Sequence, residues 1–307
     1  MNTPAAATTT LDVVHETHYA YATPVNQALH LAHLTPLADR DQRLLAHDLS
    51  VEPAPAWRTP DIDSFGNARL FFNLAQAHRE LRVLSISRVA VAARHAGLLA
   101  SDSPPWEAVR RRLRYEAGAS YVPAVEFAQP SPLVPRLPPL RDYAAPSFAP
   151  GTPLALAAID LMQRVHADFE FEASSTEVDT PLLDAFTQRC GVCQDFSHVM
   201  IAALRMQGLA ARYVSGYLLT APAPGQPALQ GADASHAWVQ VHCPDTPGIA
   251  DGWLDLDPTN NLVPGLGHVR LAVGRDYSDV TPLRGVIRGG GEHTLDVRVT
   301  TRCVDGA

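Results

Sequence analysis

A cysteine, a histidine and an aspartate, in that order and on separate predicted elements, are the residues of this chain best suited to chemistry. Cys193 lies in Arg189-Cys190-Gly191-Val192-Cys193-Gln194-Asp195-Phe196, where a polar, glycine-containing turn runs into a helix. His236 follows in Ala234-Ser235-His236-Ala237-Trp238, and two aspartates follow in Trp253-Leu254-Asp255-Leu256-Asp257-Pro258-Thr259. A free thiol with a pKa near ~8.5 is only a few per cent thiolate at neutral pH. The first turn of a helix offers unpaired N–H groups and the positive end of the dipole, which favour the thiolate. The same N–H groups suit the oxyanion of a tetrahedral intermediate. An imidazole can take and return the proton, and a carboxylate can orient the imidazole. These groups predict acyl transfer through a thioester.

The strand pattern places the partners only in part. In Ser235 to Cys243, residues His236, Trp238, Gln240 and His242 share one face, and Ala237, Val239 and Val241 share the other. The second set is apolar and predicts the core side. The first is polar with an aromatic, which predicts a cleft wall. His242 shares that face but sits at the strand end. In Trp253 to Asp257 both aspartates face away from Leu254 and Leu256, so alternation alone leaves Asp255 and Asp257 equivalent.

The elements that must hold these groups fall into three stretches. Leu11 to Tyr21 alternates, Ser64-Phe65-Gly66-Asn67 is a turn signal, and Leu81 to Ala92 is rich in β-formers. Residues 1–95 therefore predict an N-terminal antiparallel β domain of sandwich type. Residues 96–152 form a connecting region: a helix from Trp106 to Tyr115, then a stretch from Pro130 to Pro153 that holds eight prolines. The four arginines at 110, 111, 112 and 114 read as a solvated helix face, with an anionic-ligand patch as the functional alternative. Residues 153–307 combine helices opening at Pro153, Pro181 and Cys193 with strands at Tyr213 to Thr220, Ser235 to Cys243, Trp253 to Asp257 and His293 to Thr301. Ala221 to Ala232 reads as a flexible loop. The expected class is α+β.

Bulk composition narrows the function. The 307 residues are 46% hydrophobic and 18% charged, with a formal net charge of −8. No long basic run supports a nucleic-acid or membrane-surface partner. Met1 to Thr10 does not read as a signal peptide, and no stretch is apolar enough to span a bilayer, so a cytoplasmic location is expected. Four cysteines, Cys190, Cys193, Cys243 and Cys303, are too few and too unevenly placed for a disulfide scaffold. No cofactor or metal is expected, and the sequence leaves the oligomeric state open.

Gly191-Val192-Cys193-Gln194-Asp195, Ser235-His236-Ala237-Trp238-Val239 and Trp253-x-x-x-Asp257-Pro258-Thr259 resemble the three signature segments of the transglutaminase-like superfamily core. The resemblance implies a papain-like fold, with Cys193 as nucleophile, His236 as general base and acid, and Asp257, over Asp255, as the orienting carboxylate. It extends to Ala211 to Tyr217 and Gly274 to Val280, and to the β domain that accompanies this core in bacterial proteins. It implies a peptide or protein amide as substrate and leaves hydrolysis or transamidation open, many bacterial members being regarded as candidate cysteine proteases or amidases. Calcium, used by eukaryotic relatives, is not carried over, since no EF-hand-type loop is present. Gln194 is a candidate oxyanion residue, and Tyr217 and Trp238 are candidate cleft walls. Asp195 reads as helix-start support. Arg275 and Tyr277 are pointed to by the resemblance alone.

Two other classes compete. Cys190-Gly191-Val192-Cys193 has the Cys-x-x-Cys form of a thiol–disulfide oxidoreductase, but no thioredoxin-like βαβ precedes it. A zinc site on Cys190, Cys193 and His198 lacks a second ligand pair. A transglutaminase-like domain can also persist as a binding module that has lost the triad; here all three positions are present.

Overall fold

Alternation in the first strand extends further than the sequence signal suggests. In the computed structural model, which describes residues 7–118, 120–173, 175–220, 230 and 235–304, β1 (Thr8–Ala32) is one strand of 25 residues. It is followed by β2 (Gln42–Glu52), β3 (Trp57–Ile62), β4 (Ala68–Leu74) and β5 (His78–Ala92). The connecting region holds α1 (Trp106–Arg112) and α2 (Pro138–Ala144). Then come α3 (Leu154–Asp168), β6 (Glu170–Phe171), α4 (Leu182–Gln188), β7 (Cys190–Gly191) and α5 (Cys193–Met206). The chain continues through β8 (Ala211–Leu218), β9 (His236–His242), β10 (Trp253–Leu256) and β11 (His268–Gly274) to the single turn α6 (Tyr277–Val280), and ends with β12 (Leu283–Gly289) and β13 (His293–Cys303). The predicted loop at 221–232 lies outside the described residues apart from Gln230.

The β domain is organised by β1. Its first half pairs antiparallel with β5 on one side and β13 on the other. Its second half pairs with β4 and β12. An inner face of Tyr21, Val25, Phe72, Leu74, Leu81 and Val83 draws on both limbs, so the sheet closes over a core of its own. Each fully buried side chain of this size contributes about 1.5–3 kcal/mol. Residues 283–303, which a linear division assigns to the second half, are strands of this domain. Their alternation identifies strands but not partners, because pairing is set by distant chain.

The second sheet runs β10-β9-β8-β11 and is antiparallel throughout. The buried helix α5 packs on it, with α2, α3 and α4 around the helix. Gln194 through Arg205 are all buried, so α5 is a core helix wrapped on every side. It stops in a Schellman arrangement: Leu209 N–H bonds Leu204 O at 3.1 Å and Gly208 N–H bonds Arg205 O at 2.9 Å, with Gly208 at φ +79°. Helices on one side of an antiparallel sheet, joined to a β-rich N-terminal region, make the α+β class expected from the sequence. The Pro-rich stretch carries α2 and is ordered over Leu140 and Ala144, both buried.

The two halves are bolted through β11 and β8. Gln42 Nε2 donates to Arg270 O at 2.7 Å and its Oε1 accepts from Arg270 N–H at 2.8 Å. Asn67 does the same on Val273, at 2.7 and 2.8 Å. Leu11, Val13, Val89 and Val91 pack on Tyr217, Val269 and Leu271 between these polar clamps.

Candidate active site

Cys193 is delivered to its position by a sharp reversal. Arg189 ends α4 with φ 58° and ψ 32°, and its guanidinium is caged over Tyr143, Phe169 and Phe186 at 4.3 to 4.9 Å. β7 then leads directly into α5, whose first helical residue is Cys193. The buried Asp195 carboxylate folds back to accept from Val192 N–H at 2.8 Å and from the Thr176 hydroxyl at 2.6 Å. This needs the absence of a side chain at Gly191, where a Cβ would lie 2.6 Å from Asp195 Oδ2. Burial pushes the Asp195 carboxyl up, against those hydrogen bonds. Val192 O already takes Asp195 and Phe196 N–H. The N–H groups of Cys193 and Gln194 precede that pair and are among the donors a helix start leaves without an intrahelical partner. The thiol is half-buried.

His236 opens β9, opposite Gly216 of β8, and is fully buried. Its Nε2 lies 2.9 Å from Asp257 Oδ2. Besides Asp257, Cys193 acts on the imidazole and raises its pKa. Nδ1 is buried and has no hydrogen-bond partner. Burial alone would lower the imidazole pKa. The charge and hydrogen bond of Asp257, with Cys193, outweigh it and raise the pKa to about 10.

Asp257 follows β10, at the start of a turn. Its Oδ1 accepts from Thr259 N–H at 3.0 Å and Asn260 N–H at 3.1 Å. Its Oδ2 takes His236, the Asn260 side-chain amide at 2.9 Å and His268 Nε2 at 3.3 Å. Burial pushes this carboxyl up, but the two histidines more than offset it and hold the group well below the usual carboxylate range. The Asp-Pro-Thr-Asn turn is a local signal that could have flagged Asn260. Nothing local marks His268, which arrives on β11.

The face expected to be a cleft wall is instead buried and matched. Asp255 Oδ1 accepts from Trp238 Nε1 and from Gln240 Nε2, both at 2.8 Å. Its Oδ2 meets His95 Nε2 and Arg94 Nε, again both at 2.8 Å. Trp238 stacks on His236 with ring centroids 6.2 Å apart and planes 27° apart. Gln194 is turned away from Cys193 in its hydrogen bonding: its side-chain amide donates to Val178 O at 3.0 Å. Tyr217 points into the seam with the β domain, where its hydroxyl pairs with His15 Nδ1 at 3.0 Å. Arg275 forks onto Asp279 of its own turn, at 2.9 and 3.0 Å. His242 meets Trp253 edge to face, ring centroids 5.2 Å apart.

Two tyrosines beside Cys193 complete the neighbourhood. Burial pushes both phenols up: Tyr213 rises well above its usual value, with Cys193 adding to it, and Tyr277 rises to about 12, with Tyr19 and then Cys193 adding to it. Cys190 is on β7, its thiol donating to Glu172 Oε2 at 3.1 Å, and all four cysteines are free. Among the described residues no group of three or more His, Cys, Asp or Glu is arranged to hold a metal ion.

A helix that starts at Cys193 packs on an antiparallel sheet that carries His236, and sequence comparison supplies the family. Residues 141–258 match the transglutaminase-like superfamily, and residues 11–90 match the bacterial transglutaminase-like N-terminal region. The chain belongs to this transglutaminase-like superfamily. It is 40% identical over 305 residues to the uncharacterized protein Rv2569c of Mycobacterium tuberculosis, covering 97% of this chain and 94% of that one. It is 31% identical over 294 residues to the uncharacterized protein ML0607 of Mycobacterium leprae, covering 94% and 96%. The fold is similar to the crystal structure of a candidate cysteine protease from Cytophaga hutchinsonii, with a TM-score of 0.73 at 19% identity over 98% of this chain and 93% of that one.

Proposed function

We propose that the protein is a cysteine-nucleophile enzyme that transfers acyl groups from amide bonds of peptides or proteins. The observation that carries this reading is the buried His236–Asp257 pair, 2.9 Å apart, with Cys193 at a helix start close enough to act on the imidazole.

The steps follow from those positions. The Cys193 thiol gives its proton to His236 Nδ1, and Asp257 stabilises the imidazolium. The thiolate attacks the amide carbonyl carbon, and the N–H groups of the helix start stabilise the oxyanion as it develops. Collapse of the tetrahedral intermediate breaks the C–N bond, and the imidazolium proton leaves with the amine. A thioester on Cys193 remains. Water or a second amine then attacks it, with His236 taking the incoming proton and returning it to the sulfur. Water gives a peptidase or amidase; an amine gives transamidation.

The redox alternative is disfavoured by the placement of Cys190. The Ser175 hydroxyl lowers its thiol pKa, but the Glu172 carboxylate and other effects outweigh it, and the thiol is raised. The binding-module alternative leaves a buried, ion-paired imidazole beside a half-buried thiol without a purpose. Four free thiols support a reducing, cytoplasmic setting, and among the described residues no helix is long and apolar enough to cross a membrane.

The test is brief alkylation with substoichiometric iodoacetamide at pH 6, read by mass spectrometry. Selective labelling of Cys193, abolished in His236→Ala, is the expected result. Equal, slow labelling of all four cysteines would count against an activated nucleophile.

A further inference from the structure

The arginine run that the sequence offers as a solvated face does not stay together in the fold. Arg112 leaves it to pair with Asp245 at 2.5 Å. Arg110 and Arg114 turn the other way, into a cavity of about 360 Å³. Arg136 from the Pro-rich stretch and Arg141 of α2 line the same cavity, and Arg205 of α5 joins them. Five arginines therefore converge from four separate segments. Among the described residues no Asp or Glu lines this cavity, and the guanidinium groups of Arg110, Arg114, Arg136 and Arg141 have no carboxylate partner. This is unusual in a chain with a formal net charge of −8.

The cavity is built rather than incidental. Arg110 is stacked over Trp106 at 4.6 Å. Its stem lies against Gly208, where a Cβ would come within 3.1 Å of Arg110 Cγ and Cδ. Arg205 is 9% exposed and spends its donors inward, on Phe127 O, Ser131 Oγ, Ala211 O and Arg275 O at 2.6 to 3.0 Å. It supplies fixed positive charge beneath the cavity, not hydrogen bonds to an occupant. The other four guanidinium groups keep their donors. Capping of α5 does not account for them, because Leu204 O and Arg205 O already accept from Leu209, Gln207 and Gly208 N–H. Gathering unpaired cations around one concavity costs electrostatic energy, and a bound polyanion would offset that cost.

We infer that this cavity is a binding site for a compact phosphate-type polyanion. Guanidinium forks match the paired oxygens of phosphate groups, and the volume lies at the small end of the range for ligand pockets, which begins near ~300 Å³. The site is separate from the nucleophile. It sits at the C-terminal end of α5, and 14 residues of helix put Cys193 roughly 20 Å away.

The experiment is isothermal titration calorimetry of the full chain with inorganic pyrophosphate and tripolyphosphate, with citrate as the carboxylate arm, all at constant ionic strength and 150 mM salt. The expected result is saturable one-to-one binding of the phosphates, tighter for tripolyphosphate, and at least tenfold weaker binding of citrate. Arg114→Ala/Arg136→Ala should weaken phosphate binding at least tenfold with an unchanged melting temperature of the free protein. The exposed pair Arg288→Ala/Arg302→Ala, with the same loss of charge, should leave it unaltered. Absence of saturable binding, or an equal loss in both double variants, would overturn the site. Citrate binding as tightly as tripolyphosphate would overturn its phosphate character.

Discussion

The Asp255 carboxylate accepts a hydrogen bond from the indole of Trp238 at 2.8 Å, and that indole stacks on the ring of His236. The two aspartates of one short segment thus divide the work. Asp257 touches the imidazole directly, and Asp255 fixes the aromatic plate behind it. Asp255 is itself held by Arg94 and His95, which leave the β domain just after β5. The β domain therefore reaches the histidine in three contacts: linker to Asp255, Asp255 to Trp238, Trp238 to His236.

Asp257 is expected to govern the charge of His236. Without its negative charge, burial is opposed only by Cys193 and the pKa falls. Asp257→Asn should lower the His236 titration from near 10 by at least about two units, read by histidine 15N NMR. His268→Ala removes a competing donor from the same carboxylate and keeps the charge. Its His236 titration should stay at the wild-type value or rise. A fall in both variants would mean that Asp257 does not set the protonation of this ring.

Gly216 tests the aromatic plate. A Cβ there would lie 2.5 Å from the Trp238 ring and 2.2 Å from Val269 O. The backbone oxygen belongs to the next strand and cannot swing aside, so the indole and the strand pair must both yield. Gly216→Ala should lower stability by about 1–3 kcal/mol, as overpacking does, and slow Cys193 alkylation at pH 6 as His236 loses its backing. Chemical denaturation and the alkylation rate read the two effects separately. A stable variant with wild-type alkylation would remove the Trp238 plate from the site.

Legibility from sequence followed the range of the interaction. Cys193 at a helix start and the strand carrying His236 are local patterns, and both were readable. Asp255 and Asp257 were not separable by alternation, because the distinction arises where Asp257 leaves β10 and turns toward the first residue of β9. The polar row His236, Trp238, Gln240 read as a cleft wall because alternation reports residue type and not what lies opposite. Its partners, Asp255 and the Arg94-His95 linker, are brought by chain folding. The same holds for β12 and β13, whose pairing with β1 closes a separation of more than 250 residues. Tyr213 and Tyr277 beside Cys193 converge from β8 and α6, and no spacing rule joins them.

Acid should destabilise the protein well above the usual carboxylate range. Burial holds His15, His30, His198 and His242 down to about 4 each. Unfolded, these side chains titrate near ~6.5. Between those values the unfolded chain binds protons that the native chain does not, so stability is full above about 6.5 and is lost as the pH falls toward 4. His236, raised rather than lowered, adds no loss in this window, and Asp195, raised by burial, opposes it in part. The melting temperature should drop by about 5 °C or more between pH 6.5 and 4.5. His30→Leu should flatten that slope, since both His30 nitrogens are buried without partners. A melting temperature constant across the window would refute the buried neutral histidines.

The fate of the thioester can be narrowed by what the chain lacks. All 24 of its Lys and Arg positions are arginine; there is no lysine. A guanidinium stays protonated below a pKa of ~12 and does not resolve a thioester, whereas a lysine amine can. No side chain of this protein can therefore serve as the amine acceptor for another copy. Incubated alone at high concentration, the protein should form no covalent oligomers on a denaturing gel under reducing conditions, even if it transamidates. Added with a glutamine-bearing protein and a small fluorescent primary amine, it should transfer the amine to that protein if amines resolve the thioester, and release ammonia without fluorescence incorporation if water does. A ladder of self-linked chains in the absence of added amine, lost in Cys193→Ser, would show that the acyl group finds an acceptor on this chain other than a lysine and would overturn the prediction.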